Sequence, residues 1–519
     1  MESNVVLNES YAIIINLLAT LAFGCSLLII KDKKEKVNIK PYFIIFVLFV
    51  ISTSAIFILQ AKFGIIIAGM SIYTIFNFIS LIVLMSYKET NKAFTKVLLF
   101  FTIFTIYLGY NLYTTFNVRQ HDGRDFIQYL NGGHLGYIGY IVFEGKLPDM
   151  DPQAFWCFYN PPLFHLISAG IVKLAYHFTG RYETSLEAVQ LSTMIYALVF
   201  DIYVYKLLKK LNIKESAPFL LFFIAFSPAI VFMSGSLNND MLSVCLSTMA
   251  IYYTIKWYDS ENLKDIILIA FTISLAIMTK ISAALVSIPI AAVFLYKLIK
   301  NKDMIKKLII NYIIFAIIAL PIGLWFPIKN MVKFHIPPTY VQSVELDNEA
   351  NISKYSTFER LFTIGPATFE DKNVNMTREH AEYNIFFTTL KSFVVDEYID
   401  YEDSETVEMY LDFLFKISIV ISVLFLVNLV YLIIKKDKEN NMWLYFFLFL
   451  FVLEVLSYVK FCFDFPFTFT MNFRYIVPTL LTFALVLGKV GEKNKVLDMI
   501  NSIVLTLFIV LSLALFIAI

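Results

Sequence analysis

Long apolar runs constrain this chain more than any other feature. Runs near span length occupy 11–30, 41–60, 65–86, 97–116, 188–205, 217–234, 241–255, 308–328, 411–434, 442–459, 475–489 and 497–519. Two shorter runs, 266–278 and 281–296, flank Thr279 and Lys280. A helix needs about 20 apolar residues to cross the hydrocarbon core. Backbone polar groups in lipid must be satisfied within the segment, so these runs are read as helices, not strands. Composition agrees: 59% of the 519 residues are hydrophobic and 16% are charged, whereas soluble chains carry roughly 25% charged residues. The expected fold class is all-α, a polytopic helical integral membrane protein with about 14 spans. A soluble enzyme and a disulfide scaffold are excluded. With a net charge of +1 and no single basic face, a nucleic-acid partner has no support, and the lipid bilayer is the expected surrounding. Cys25, Cys157, Cys245 and Cys462 are scattered without a CxxC pair and read as small apolar residues. The N-terminus, MESNVVLNES, lacks a basic leader region, so the first run is expected to be a retained span.

Lysine placement sets the orientation. Clusters at 31–40, 88–96, 206–214, 297–307, 435–438 and 489–495 are assigned to the cytoplasm. Both termini then lie outside. Parity makes 161–178 a juxtamembrane or re-entrant helix on the outer face. Two large outer loops follow, 117–187 and 329–410. The short cytoplasmic loops contain neither GxxxxGK[ST] nor GxGxxG, so they offer no nucleotide site.

Five polar clusters fall on the outer face of this topology, and each has a plain structural reading beside a chemical one. His121, Asp122 and Asp125 follow span 97–116 directly; a carboxylate there can serve as a general base, or the segment is a solvated loop start. Tyr159, Asn160 and His165 surround Pro161-Pro162 at a helix start; they line a site or simply begin a helix. Asn238, Asn239 and Asp240 form a tight turn whose aspartate either caps the next helix or faces substrate. Lys280 interrupts an apolar stretch, and Arg474 opens another; each snorkels or contacts a lipid phosphate. Positive-inside logic leaves few cations on that face, which favours the phosphate reading. Metal ligation is the weakest signal: His335 and later carboxylates are not arranged as HExxH, so the cofactor is left open and no metal ligands are assigned.

The order of these motifs carries a resemblance. An outer aspartate is followed by Tyr159-x-Pro-Pro-Leu163, then Asn238-Asn-Asp240, Met278-Thr-Lys280, Trp325-Phe-Pro-x-Lys-Asn330 and Arg474-Tyr-x-x-Pro478. This order resembles the GT-C superfamily of membrane glycosyltransferases, most closely the bacterial relatives of protein O-mannosyltransferases and lipid A aminoarabinose transferases. The resemblance spans roughly 97–490. It implies a GT-C-like catalytic membrane domain there, preceded by a three-span module over 1–96 and followed by a C-terminal span over 491–519. It also implies a polyprenyl-phosphate-linked sugar donor and a glycan, lipid or protein acceptor. The active site would face outside the cell membrane, with inversion at the anomeric carbon. Carried onto this sequence, Asp122 matches the first-loop catalytic acid, Asp240 the second-loop acid and Lys280 the phosphate-contacting lysine. Asp122 is followed by Gly123 where the family often has a glutamate, so Asp125 competes for the role. Asn160 stands where relatives place a lysine, and Arg474 is expected to supply the missing phosphate contact. The competing reading is a transporter or flippase for a lipid-linked saccharide. Such proteins usually concentrate ionisable groups near the bilayer midplane, where this chain offers chiefly Asp201 and Glu454.

Overall fold

The computed structural model describes residues 132–518, apart from breaks at 214–215, 343–346, 366, 371–373, 375, 378–380, 396–403 and 436–441, together with most of 100–111. The expected three-span module over 1–96 lies outside the described residues, as do His121, Asp122 and Asp125. Among the described residues there is no strand. The longer helices are α1 (Gly133–Glu144), α2 (Leu163–Thr179), α3 (Ala188–Lys210), α4 (Ala217–Ala225), α5 (Pro228–Ser234), α6 (Asp240–Ser260) and α7 (Leu263–Ile277). They continue with α8 (Ala284–Lys300), α9 (Ile305–Phe334), α10 (Ile385–Ser392), α11 (Glu405–Ile434), α12 (Met442–Asp464), α13 (Thr479–Gly491) and α14 (Lys495–Ala518).

Six helical segments are long and apolar enough to cross a membrane, or eight if each of two bent pairs is one span. One bent pair is α4 with α5, which meet at 63°. Pro228 opens α5 and cannot continue the α4 hydrogen-bond ladder, while Ser227 donates back to the Ile224 carbonyl at 2.7 Å. The other bent pair ends in α13, at 53°. The expected spans at 241–255 and 266–278 are present as α6 and α7 but fail that test, for visible reasons. α7 has only 15 residues. α6 is rich in hydroxyls, and it is enclosed by α3, α7 and α8. Thr248 and Thr254 donate to the carbonyls four residues back, at 2.9 and 2.8 Å. A helix surrounded by protein needs no apolar coat once its polar groups are satisfied. The segment 161–178 appears as the 17-residue α2, which exposes Leu174 and Phe178 and is not among the span-length helices.

One end of the bundle is knotted by ion pairs. Lys210 meets Asp259 at 2.6 Å, Lys256 meets Asp265 at 2.7 Å, and Glu261 takes Lys297 at 2.7 Å and Lys307 at 3.3 Å. These contacts gather the C-terminal ends of α3, α6 and α8 with the N-terminal ends of α7 and α9. The N-terminus of α6 and the C-terminus of α7 therefore lie at the opposite end.

At that opposite end the segment after α9 folds onto the end of α12. Ile352 N donates to Pro466 O at 2.8 Å, and Thr468 N to Ala350 O at 2.9 Å. Arg360, almost fully buried, donates to Cys462 O at 2.6 Å. A buried Lys391–Glu382 ion pair lies behind this contact. α10 then reaches the arginine-bearing turn, where Ser392 Oγ accepts from Phe473 N at 2.9 Å. Gly132 fixes the other flank. Its φ is +95°, and a Cβ would lie 2.6 Å from Trp156 N. Only glycine suits both the left-handed backbone and that close approach. Gly133 N donates to Trp156 O at 2.8 Å, which sets the start of α1.

Candidate active site

The site begins with the start of α6. Asn238 Oδ1 accepts from Asp240 N at 3.1 Å. Asn239 Nδ2 donates to Thr279 O at 2.9 Å and ties this turn to the break after α7. Asn239 thus holds two distant segments in register, whereas Asn238 braces its own turn through Oδ1 and its buried Nδ2 has no hydrogen-bond partner among the described residues. Asp240 is the first residue of its helix, and its carboxylate is turned away from its own amides. It pairs with Lys280 Nζ, and Arg474 Nε lies 3.9 Å from its other oxygen. Lys280 sits 4.6 Å from the centre of the Tyr475 ring, and Arg474 Nη2 donates to the Tyr475 hydroxyl at 3.1 Å. Asn472 Oδ1 accepts from Arg474 N at 3.0 Å and fixes the arginine's backbone. Three residues far apart in sequence, Asp240, Lys280 and Arg474, therefore form one charged cluster. The aspartate is 5% exposed, so its ion partners remove the cost of a lone buried charge.

This cluster closes one end of a cavity of about 360 Å³. Its other walls include Ser243 and Ser247 of α6, Ser282, and Glu454 of α12. Glu454 was conspicuous in the sequence as an acid inside an apolar run, but no role was attached to it.

Tyr159 and Asn160 line a second cavity of about 360 Å³, with Phe326, Pro327, Asn330, Pro337 and Tyr340. Ile281 lines this second cavity while Lys280 and Ser282 line the first, so the strip 280–282 is a wall between them. Tyr159 also senses the charge of Arg474, which places the two cavities side by side.

His165 lies elsewhere. It is fully buried, stacks on Tyr137 with ring centroids 4.0 Å apart, and its Nε2 sits 2.9 Å from His134 Nδ1. His134 escaped the sequence reading, because its partner is 31 positions away and nothing in either local pattern announces the pair. Burial, reinforced by Lys280 and Arg474 and opposed by Asp240, pushes the His134 imidazole down to about 4. It is neutral at physiological pH. Among the described residues no group of three or more His, Cys, Asp or Glu side chains is placed to hold a metal ion.

Comparison with known proteins finds a likeness over part of the chain. Residues 160–325 match the dolichyl-phosphate-mannose-protein mannosyltransferase family model. The match fits a membrane glycosyltransferase of the GT-C superfamily. It runs from Asn160 to Trp325, within α9, so it contains Asp240 and Lys280 but stops short of Arg474. No curated protein and no solved structure matches the chain. That family implies a lipid-linked sugar donor and an acceptor, met within a membrane. The fold supplies a multi-pass helical body to hold them.

Proposed function

We propose that the chain transfers a sugar from a polyprenyl-phosphate donor to an acceptor hydroxyl on the outer face of the cell membrane, with inversion at the anomeric carbon. The observation that carries this reading is the convergence of Lys280 and Arg474 on Asp240 at the end of a cavity opposite the lysine-rich end. Two cations at that level suit the donor phosphate. They offset the negative charge that grows on it as the bond from the sugar C1 breaks. The guanidinium brings a planar fork and the ammonium a point charge. Asp240 holds both cations in place before donor arrives, and is freed to meet the sugar as phosphate draws the cations away. Asp122 is the general base that takes the acceptor proton as the hydroxyl attacks C1 from the face opposite the leaving phosphate. An aspartate with an ordinary pKa of about 3.9 is ionised and competent at neutral pH.

The test is a panel of polyprenyl-phosphate sugars presented to the purified full-length protein, reading release of the free lipid phosphate. Release with at least one donor, abolished or strongly reduced in Lys280→Ala and Arg474→Ala, supports the assignment. Release that is undiminished in both variants removes the phosphate site. Transbilayer movement of intact donor, without release, would favour the flippase reading instead.

A further inference from the structure

The second cavity differs chemically from the first, and nothing assigned so far uses it. Tyr159 and Tyr340 pack edge to face with centroids 5.6 Å apart. Pro161, Pro327, Pro337 and Pro338 contribute flat apolar walls. Asn330 is 5% exposed and lines the cavity. Its amide can both donate to and accept from a ligand hydroxyl. No charged residue lines the cavity. The cations nearest Asn330 on α9 are engaged elsewhere: Lys329 donates to Pro148 O at 3.2 Å, and Lys333 pairs with Asp149. A phosphorylated or carboxylated ligand would find no counter-charge here. Burial raises the Tyr159 phenol above its ordinary value, so at neutral pH its hydroxyl remains a donor. Aromatic rings beside convergent amides and hydroxyls match the two kinds of surface on a pyranose, C–H faces and polar edges. A pyranose held here has only the strip 280–282 between it and the charged cluster.

We infer that this cavity is the acceptor site, and that the acceptor is an uncharged sugar lying against the Tyr159–Tyr340 aromatic pair with its hydroxyls on Asn330 and Asn160. The inference rests on the glycosyltransferase reading and deepens it by naming the acceptor class. Tyr340 stacks on the ring, Asn330 orients a hydroxyl, and the open mouth at Pro337 and Pro338 admits the remainder of the glycan.

Saturation-transfer NMR on the full-length protein in detergent tests this, with three probes: a neutral methyl hexopyranoside, a hexose phosphate, and a proline-containing serine/threonine peptide. The expected result is saturation of ring protons in the neutral glycoside, stronger than in the hexose phosphate, and none in the peptide. Tyr340→Ala should weaken it about fivefold or more, whereas Tyr340→Phe keeps it, as stacking requires. Asn330→Leu, close in volume but without the amide, should weaken it as well. Tyr340 lies on a partly exposed turn, so if Asn330→Leu does not fold, Tyr340→Ala carries the test alone. An unchanged glycoside signal in Tyr340→Ala overturns the site. No glycoside signal in the wild type, or a peptide signal in its place, overturns the acceptor class. Lipid-phosphate release by that same preparation separates the two failures. Release without glycoside binding sinks this inference alone, whereas absence of release with every donor sinks the glycosyltransferase reading.

Discussion

The two cavities have similar volumes and share a wall, yet one gathers most of the chemistry. Around the first, Asp240, Lys280, Arg474 and Glu454 crowd together, with Ser243, Ser247 and Ser282 between them. Around the second are prolines, tyrosines and two amides. Volume alone would make them interchangeable. The contrast in charge is what distinguishes a place for a phosphate from a place for a neutral partner, because a buried charge is tolerated only where a counter-charge or a charged ligand answers it.

The sharpest way to break the comparison is to remove the acid proposed to act between the two substrates. Asp122→Asn should lower turnover about 10²–10⁴-fold at saturating donor, the usual contribution of a general base. Asp125→Asn should lose far less. The reverse order would hand the role to Asp125, and near-normal turnover in both would remove the mechanism as written. Next comes the charged cavity itself. Lys280→Ala should weaken donor binding by about 1.5–3 kcal/mol, the scale of one charged hydrogen bond. Titration with donor in the absence of acceptor reads this directly. The neutral cavity should respond less and only on its own side. Tyr340→Ala is expected to raise the acceptor KM about tenfold or less, in line with the loss of one aromatic stacking contact. A larger rise in the donor KM than in the acceptor KM would erase the division between the cavities.

The smallest effect concerns the histidine pair beside the charged cavity, of which His165 is fully buried and His134 partly so. The His134 imidazole is depressed to about 4 in the folded protein, against about 6.5 in an unfolded chain. Between those values the unfolded state binds more protons, so stability falls as pH drops from about 6.5 towards 4. The melting temperature should decline over that window, and His134→Gln should flatten part of the decline. Equal pH dependence in wild type and variant would mean that other groups set it.

Much of the helical body was legible because apolar runs are conspicuous, and the match of the middle of the chain to a glycosyltransferase family agrees with what the motif order implied. Lys280 and Arg474 were legible for the complementary reason: a cation at the edge of an apolar run stands out. α6 and α7 were harder. Their expected spans at 241–255 and 266–278 are helical, but enclosure by other helices lets α6 carry hydroxyls, and α7 stops at 15 residues, where the Thr279–Lys280 break turns the chain. The second cavity was legible only in pieces: Tyr159, Asn160 and Asn330 stood in separate motifs, and nothing in the sequence put those motifs together or brought Tyr340 to them. Neutral side chains such as Asn330 and Tyr340 are common everywhere, and only the turn after α9 brings them opposite Tyr159. His134 and His165 illustrate the same limit, since a contact between two separate helices has no local period to announce it.

The strip of chain from Lys280 to Ser282 has a consequence for how such an enzyme diverges. Successive residues there face alternate compartments, so a backbone shift that enlarges one chamber narrows the other. Under the proposed assignment of the two cavities, donor preference and acceptor preference cannot drift independently at these positions. Descendants with new specificities would carry paired replacements, one in the strip and one in the far wall of the chamber it encroaches on, such as Ser247 or Asn330. Sequence covariation between 280–282 and those walls would be the signature of that shared inheritance.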